Sequence, residues 1–336
     1  MKKLQLLVPQ YKEDETIIKP LLDSIALQQN VDFDDIGVII CNDGTDVILA
    51  EDFLKSYPYE IIYKHCEHQG VSATRNECFN LATAEYVMFC DADDMFFNNI
   101  AIWFVFQEIE RSHFDSLTSV FMEETRHPVT KDVLYIERGR MEQGGIDGTF
   151  VHGKVHRRKY LLEKNIRWNK DLTIHEDSYF NILCQNLTDK AVYCPFPFYL
   201  WKWRDESVCR HDPKYILKTY NNMLDSNTAL VKEFLRRNLV EKAIQFVVSM
   251  TYDAYMTMNK KEWIDQENQE YRMNTELRFK KYYEEFKYLY DRAPEEFRNQ
   301  IYAGMKNRFM QEGMFIEEIT FKQWMQHINE LKEVTQ

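Results

Sequence analysis

Residues 89–96 read Phe-Cys-Asp-Ala-Asp-Asp-Met-Phe, so Asp91, Asp93 and Asp94 follow directly on the apolar run 85–90. Carboxylates this close repel one another and resist ionising together unless a cation or hydrogen-bond donors compensate. An Asp-x-Asp at the end of a buried strand suits a divalent cation bridging to a diphosphate, because hard cations prefer carboxylate and phosphate oxygens. The same acids would equally fit a solvated turn that caps the next helix. An EF-hand is excluded: counted from Asp91, Phe96 stands where that loop needs glycine and Ile102 where it needs glutamate. The chemistry therefore depends on what else the fold brings to this strand end.

Four short, β-rich, nearly continuous apolar stretches (4–9, 36–41, 59–64 and 86–91) alternate with helical periodicity in the first 95 residues. Such runs are expected of strands buried on both faces of a sheet. Between them, 15–29 carries Ile17, Ile18, Leu21, Leu22, Ile25 and Leu27 at near-helical spacing, with Pro20 as a local fault, and 71–84 carries Val71, Cys78, Phe79 and Leu81 after a turn at Gly70. This βαβαβ order predicts a mostly parallel sheet with helices on its faces. In such sheets ligands collect outside the carboxyl ends of the strands, where "PQYKED", "NDGTD" and "DADD" fall.

Further helices are expected near 99–112, 157–164 and 176–187, and strands near 115–122 and 132–138. Past residue 210 strand signals fade and long helical stripes begin with Tyr215, Tyr220, Leu224, Leu230, Phe234 and Leu235. We expect an α/β domain over 1–210 and a helical subdomain over 211–336, with Pro213 opening its first helix. The stretch 277–290 mixes bases with aromatics; at helical spacing such a stripe is read as core.

The net charge of −12 argues against a protein held on nucleic acid by a general basic surface, and against simple adhesion to anionic lipid. The seven cysteines are scattered and contain no C-x-x-C pair, which points to a reducing compartment and away from a zinc site. No run of about 18 apolar residues occurs, and the N-terminal apolar run, broken by Gln5 and ended by Pro9, is too short for a signal peptide. A cytoplasmic protein is expected, with any membrane contact peripheral and on the inner face. Against this acidic background, 153–158 and 201–211 bring in Lys154, His156, Arg157, Arg158, Lys202, Arg204, Arg210 and His211.

Taken in order, "VPQYKED", "VIICNDGTD", "GVSATRN", "AEYVMFCDADD", "HGKVHRRKYLLEKNIRWNKDLTIHED" and "YLWKWRDESV" resemble the successive blocks of family 2 glycosyltransferases, over roughly residues 4–208. The resemblance implies a GT-A fold and an inverting, metal-dependent transfer of sugar from a nucleotide-diphosphate donor, expected to be UDP-linked, to an acceptor hydroxyl. It implies that Pro9, Tyr11 and Glu13 line the nucleoside site, that Asp43 hydrogen-bonds the base, and that Asp91 and Asp93 hold Mn²⁺ or Mg²⁺ on the diphosphate. Arg75 would neutralise phosphate or tie down the aspartates, since a guanidinium offers a fork of donors to oxyanions. Arg204, Arg210 and His211 would meet the leaving group, His211 as a further metal ligand.

In the family's E-D block the aspartate is the general base, which here is Asp177. A sugar hydroxyl is a poor nucleophile and wants a carboxylate within hydrogen-bond reach. Glu176 and Asp177 also look like acids of a helix N-terminus, whose dipole would keep them ionised. Three positions depart from the family: Lys12 where Asn is frequent, Asn42 where a first Asp is frequent, and His152 where Trp is frequent. The expected acceptor is a glycan, with a protein or a modified DNA base as alternatives. A catalytically silent nucleotide-sugar binding module is the competing class.

Overall fold

A computed structural model of the chain describes residues 1–139, 150–204, 214–311 and 319–332. The chain divides into two compact units, Met1–Ser207 and Val208–Gln336. The boundary expected at 210/211 falls among residues 205–213, outside the described residues.

In chain order the first unit runs β1 (Leu4–Gln10), α1 (Glu15–Ala26), β2 (Ile36–Asn42), α2 (Glu51–Lys55), β3 (Glu60–His65), α3 (Val71–Leu81), β4 (Tyr86–Phe89), β5 (Met95–Phe96), α4 (Ala101–Ser112), β6 (Ser116–Arg126), β7 (Val133–Arg138), β8 (Lys154–Arg157), α5 (Arg158–Glu163), α6 (Glu176–Asn186) and β9 (Ala191–Trp201). The strands lie in the order β3-β2-β1-β4-β8-β6-β9-β5, with β7 paired to β6 off that path. β1 pairs in parallel with β2 and β4, and β2 with β3. β8 joins antiparallel to β4 and β6, which makes the sheet mixed.

β1 and β2 are buried along nearly their whole length, as their unbroken apolar character requires. β3 differs from expectation: it is the edge strand, with Glu60, Lys64 and His65 exposed. Apolar content marks a strand but not its place in the order. α1 starts on Asp14, whose carboxylate accepts from the backbone N–H of Thr16 at 2.9 Å and of Ile17 at 3.2 Å. It ends at Ala26 rather than 29, leaving Leu27 67% exposed, and it continues through Pro20.

Because β1, β2 and β4 are parallel and in register, with Gln10 opposite Asn42 and Leu7 opposite Phe89, their carboxyl ends open at one edge of the sheet. Tyr11 and Asp43 follow their strands directly, and Asp91 stands two residues past the end of β4.

The second unit is helical: α7 (Tyr215–Arg236), α8 (Val240–Met258), α9 (Lys261–Ile264), α10 (Gln269–Arg292), α11 (Glu295–Gln311) and α12 (Phe321–Glu330). α8 packs against α7, α10 and α11, and α12 against α10. The basic and aromatic stretch on α10 turns Phe279, Tyr282, Tyr283, Phe286 and Tyr290 inward, and Tyr288 alone of its rings stays exposed. Buried hydroxyls are satisfied: Tyr220 donates to Asp253 at 2.7 Å and Tyr282 to Asn227 at 2.7 Å.

Candidate active site

The three parallel strand ends enclose a cavity of about 310 Å³. Pro9, Tyr11, Glu13, Asp43, Asp91 and Asp93, all expected at a donor site, line it together. The first wall follows β1. The Glu13 carboxylate accepts from the backbone N–H of Tyr11 at 2.7 Å and of Lys12 at 3.2 Å, which folds the chain back and leaves the Tyr11 ring 43% exposed.

The second wall is Asp43, 4% exposed. Its carboxylate accepts from the backbone N–H of Gln69 at 2.9 Å and of Gly70 at 3.0 Å, and lies 2.9 Å from His68 Nδ1. His68 in turn stacks on Tyr11, ring centroids 5.1 Å apart. Nothing local in "CEHQG" marked His68; it enters the site only because the loop before α3 folds onto Asp43. Gly44 at φ +73° permits this, since a Cβ there would stand 2.4 Å from the backbone nitrogen of His68. Gly70, at φ +89°, then opens α3.

The aspartate cluster is the third wall, and its members are not equivalent. Asp94 is 1% exposed and does not line the cavity. It accepts from the Tyr199 hydroxyl at 2.8 Å and from the backbone N–H of Lys202 at 2.9 Å. Burial, with Asp93 and Asp91 beside it, pushes the Asp94 carboxyl well above its ordinary value. Burial would also raise Asp91, but the charge of Arg75, with the His152 ring beside it, outweighs burial and holds that carboxyl well below the usual range. Asp93 is paired with Arg204, Nη1 to Oδ2 2.8 Å, and the same nitrogen lies 3.8 Å from Glu13.

Arg75 lies buried across Trp168, its guanidinium 4.4 Å from the ring centroid. One Nη donates to Asp91 at 2.9 Å and the other to Glu176 at 2.8 Å. The E-D pair of α6 is thereby tied to the aspartate cluster. Asp177 does not line the cavity; its Oδ1 accepts from the backbone N–H of Ser178 at 2.7 Å. The helix N-terminus was expected to keep Asp177 fully ionised. Instead burial, then the neighbouring charge of Glu176, push its pKa up to about 7, against the pull of Arg75. A carboxyl poised there takes and returns protons at neutral pH.

His152 fills the space between Asp91 and Asp94, its Nε2 3.6 Å and 3.5 Å from their carboxylates. Its ring is stacked between Tyr199 and Phe150, centroids 5.1 and 5.7 Å away. Ligand atoms of Asp91, Asp94 and His152 all lie within 4.8 Å of one another, close enough to hold a cation. Among the basic residues, Lys154 and His156 are buried, and Arg157 pairs with Asp115. Arg210 and His211 lie outside the described residues.

Among the described residues the cavity lining carries four carboxylates, Glu13, Asp43, Asp91 and Asp93, and no lysine or arginine; Arg75 and Arg204, which pair with Asp91 and Asp93 from outside the lining, offset only part of that charge. An anionic diphosphate entering it would meet net repulsion unless a cation came too. The residues present therefore fit a divalent cation.

The family model described as "Glycosyl transferase family 2" matches residues 6–164. EpsH of Bacillus subtilis, named as a glycosyltransferase, is 25% identical over 257 residues, 68% of this chain and 69% of its own length. The glycosyltransferase GlyA of Streptococcus pneumoniae is 25% identical over 229 residues, 62% of this chain but 32% of its own length. The crystal structure of residues 1–349 of S. aureus TarS superposes with a TM-score of 0.58 at 16% identity, covering 83% of this chain and 80% of that one. The chain is a glycosyltransferase, and its first unit belongs to glycosyl transferase family 2 and has the GT-A fold.

Proposed function

We propose that this glycosyltransferase moves a sugar, with inversion, from a UDP-linked donor to a hydroxyl on a glycan, and that it needs Mn²⁺ or Mg²⁺ to do so. The observation that carries this reading is the acidic cavity at the three strand ends, where an aromatic pair, Tyr11 and His68, stands beside a buried acceptor, Asp43. A planar base would lie against the Tyr11 and His68 rings. The Asp43 carboxylate accepts two backbone N–H groups and lies beside a ring nitrogen of His68, so it has room for one more donor. That suits the single ring N–H of uracil. TarS, whose fold is alike, was solved with UDP and with UDP-GlcNAc.

Asp91 and Asp93, the two aspartates of the cluster that line the cavity, would hold the cation against the diphosphate. Bound there, it would offset the charge on the departing nucleotide. Arg204, poised between Asp93 and Glu13, would turn toward the diphosphate once those carboxylates find another partner. Asp177 would take the proton of the acceptor hydroxyl, and Glu176 would hold its place through Arg75. The second unit we assign to acceptor choice or assembly. The six described cysteines are free, as a reducing compartment requires, and the reading places the reaction in the cytoplasm. No described helix is long and apolar enough to cross a membrane.

A screen of nucleotide sugars for release of nucleoside diphosphate tests the proposal. UDP should be released from one UDP-sugar in the presence of Mn²⁺ or Mg²⁺, and a chelator should stop the release. Turnover that survives the chelator would remove the metal from the account, and turnover of a guanine donor alone would remove uracil.

A further inference from the structure

The turn that carries the three aspartates is held from behind by a side chain outside the cavity. Tyr199, on β9, is fully buried and absent from the cavity lining, and both hydrogen bonds of its hydroxyl end on that turn. The backbone N–H of Asp91 can only donate, so the hydroxyl oxygen accepts there, at 3.0 Å, and the hydroxyl proton goes to Asp94 Oδ2 at 2.8 Å. The other oxygen of Asp94 accepts from the backbone N–H of Lys202 at 2.9 Å. One hydroxyl thus spans the first and last aspartates of the turn, and through Asp94 it ties them to the chain two residues before Arg204, the partner of Asp93. Beyond these ties the turn's backbone has the bond from Asp94 N–H to Asp91 O, at 3.2 Å, and β5, which follows it, pairs with β9 over two residues.

We propose that Tyr199 is a positioning residue for the divalent cation: its hydroxyl holds the turn in the shape in which Asp91 and Asp93 face one ion together, and so sets the affinity for an ion it does not touch. That role rests on the reading that Asp91 and Asp93 hold the ion. Two carboxylates fixed side by side repel each other whether or not the ion is present, and an ion entering a prepared pair gains its attraction without first having to order the ligands. Groups behind metal ligands carry this preparation, and losing one weakens metal binding by roughly 10- to 100-fold. Asp94 then serves as the anchor through which the hydroxyl holds the turn, which accounts for an acid of the cluster that does not line the cavity. Phenylalanine at 199 would keep the ring on His152, centroids 5.1 Å apart, and remove only the two hydrogen bonds.

Manganese titration of the full chain in the presence of UDP, read from the paramagnetic resonance of the free ion, tests this. Tyr199→Phe should bind Mn²⁺ at least about tenfold more weakly than the parent while keeping its affinity for uridine, which has no phosphate for the ion to bridge. In transfer assays the apparent KM for Mn²⁺ should rise, and saturating Mn²⁺ should restore the parental kcat. A tyrosine that only fills the core would lower the unfolding midpoint and leave both manganese readouts where they were. If Tyr199→Phe does not fold, Asp94→Asn, which disturbs the same hydrogen bond from the other side, carries the test with the same expected weakening. A parent that binds no Mn²⁺ with UDP overturns the cation reading and the role of Tyr199 with it. A parent that binds Mn²⁺ while the variant binds it equally well, or a variant that loses uridine along with the ion, overturns the role of Tyr199 alone.

Discussion

Asp91 and Glu176 share a single buried cation: Arg75 donates to one at 2.9 Å and to the other at 2.8 Å. Asp91 lines the cavity proposed to take the donor, and Glu176 precedes the proposed base. In the proposed reaction, the donor side and the base side thus hang on one guanidinium.

Removing that guanidinium leaves two largely buried carboxylates without their counter-charge. Arg75→Met, which keeps much of the packing on Trp168, should cost about 3 kcal/mol, the low end for breaking a buried pair because Asp91 is partly exposed. Urea unfolding at neutral pH measures it, and a loss below about 1 kcal/mol would show that the strut carries little.

Gly44→Ala should weaken donor binding without touching the donor. Its Cβ would meet the backbone nitrogen of His68 at 2.4 Å, at a φ that an alanine resists. Relieving that contact moves His68 away from Asp43 and Tyr11, so the affinity for UDP should fall at least about tenfold. The strain itself should cost roughly 1–3 kcal/mol of stability. Titration calorimetry with UDP separates this from simple unfolding, and unchanged affinity would deny His68 its place in the base pocket.

Much of the proposed donor site was legible in the sequence as a set of neighbours, because its signals are local. An apolar run that stops at a polar turn announces a strand end, and parallel strands end together, so Pro9, Tyr11, Glu13, Asp43, Asp91 and Asp93 were foreseeable as neighbours. His68, Asp94 and His152 were not. Asp94 looks like its neighbours in the sequence and differs because Tyr199, 105 residues away, binds it. β9 was missed as a strand because Pro195 and Pro197 interrupt it. Its pairing with β6 skips from Cys194 to Tyr199, bypassing the stretch where proline has no N–H to give. The edge position of β3 and the raised pKa of Asp177 depend on which elements end up adjacent, and periodicity does not carry that.

Two places could hold the cation, and two substitutions distinguish them. Asp93→Ala should abolish Mn²⁺-dependent nucleotide binding with the fold intact, since Asp93 lines the cavity at a strand end. His152→Asn should leave some of that binding, although it loosens Asp91. If Asp93→Ala binds as the parent does and His152→Asn does not, the cation sits instead among Asp91, Asp94 and His152.

Asp177 also makes a prediction about stability. Its pKa is raised from 3.8 to about 7 on folding, so the fold favours the protonated form. The stability this lends is fully present below pH 3.8 and lost as pH rises through 7. Asp177→Asn, which cannot ionise, should match the parent near pH 4 and melt higher above pH 7, by at least about 2 °C. A gain that is equal at both ends of this range would mean that ionisation is not its cause.

The rate of sugar transfer as a function of pH, for the parent and for Asp177→Asn, tests the assignment of the base most directly. A base must be unprotonated, so the parental rate should rise through about pH 7 and then level off. The variant should bind UDP and Mn²⁺ nearly as well, yet transfer at least about a hundredfold more slowly, with that rise gone. Transfer by Asp177→Asn at close to the parental rate, with the same pH profile, would contradict the account.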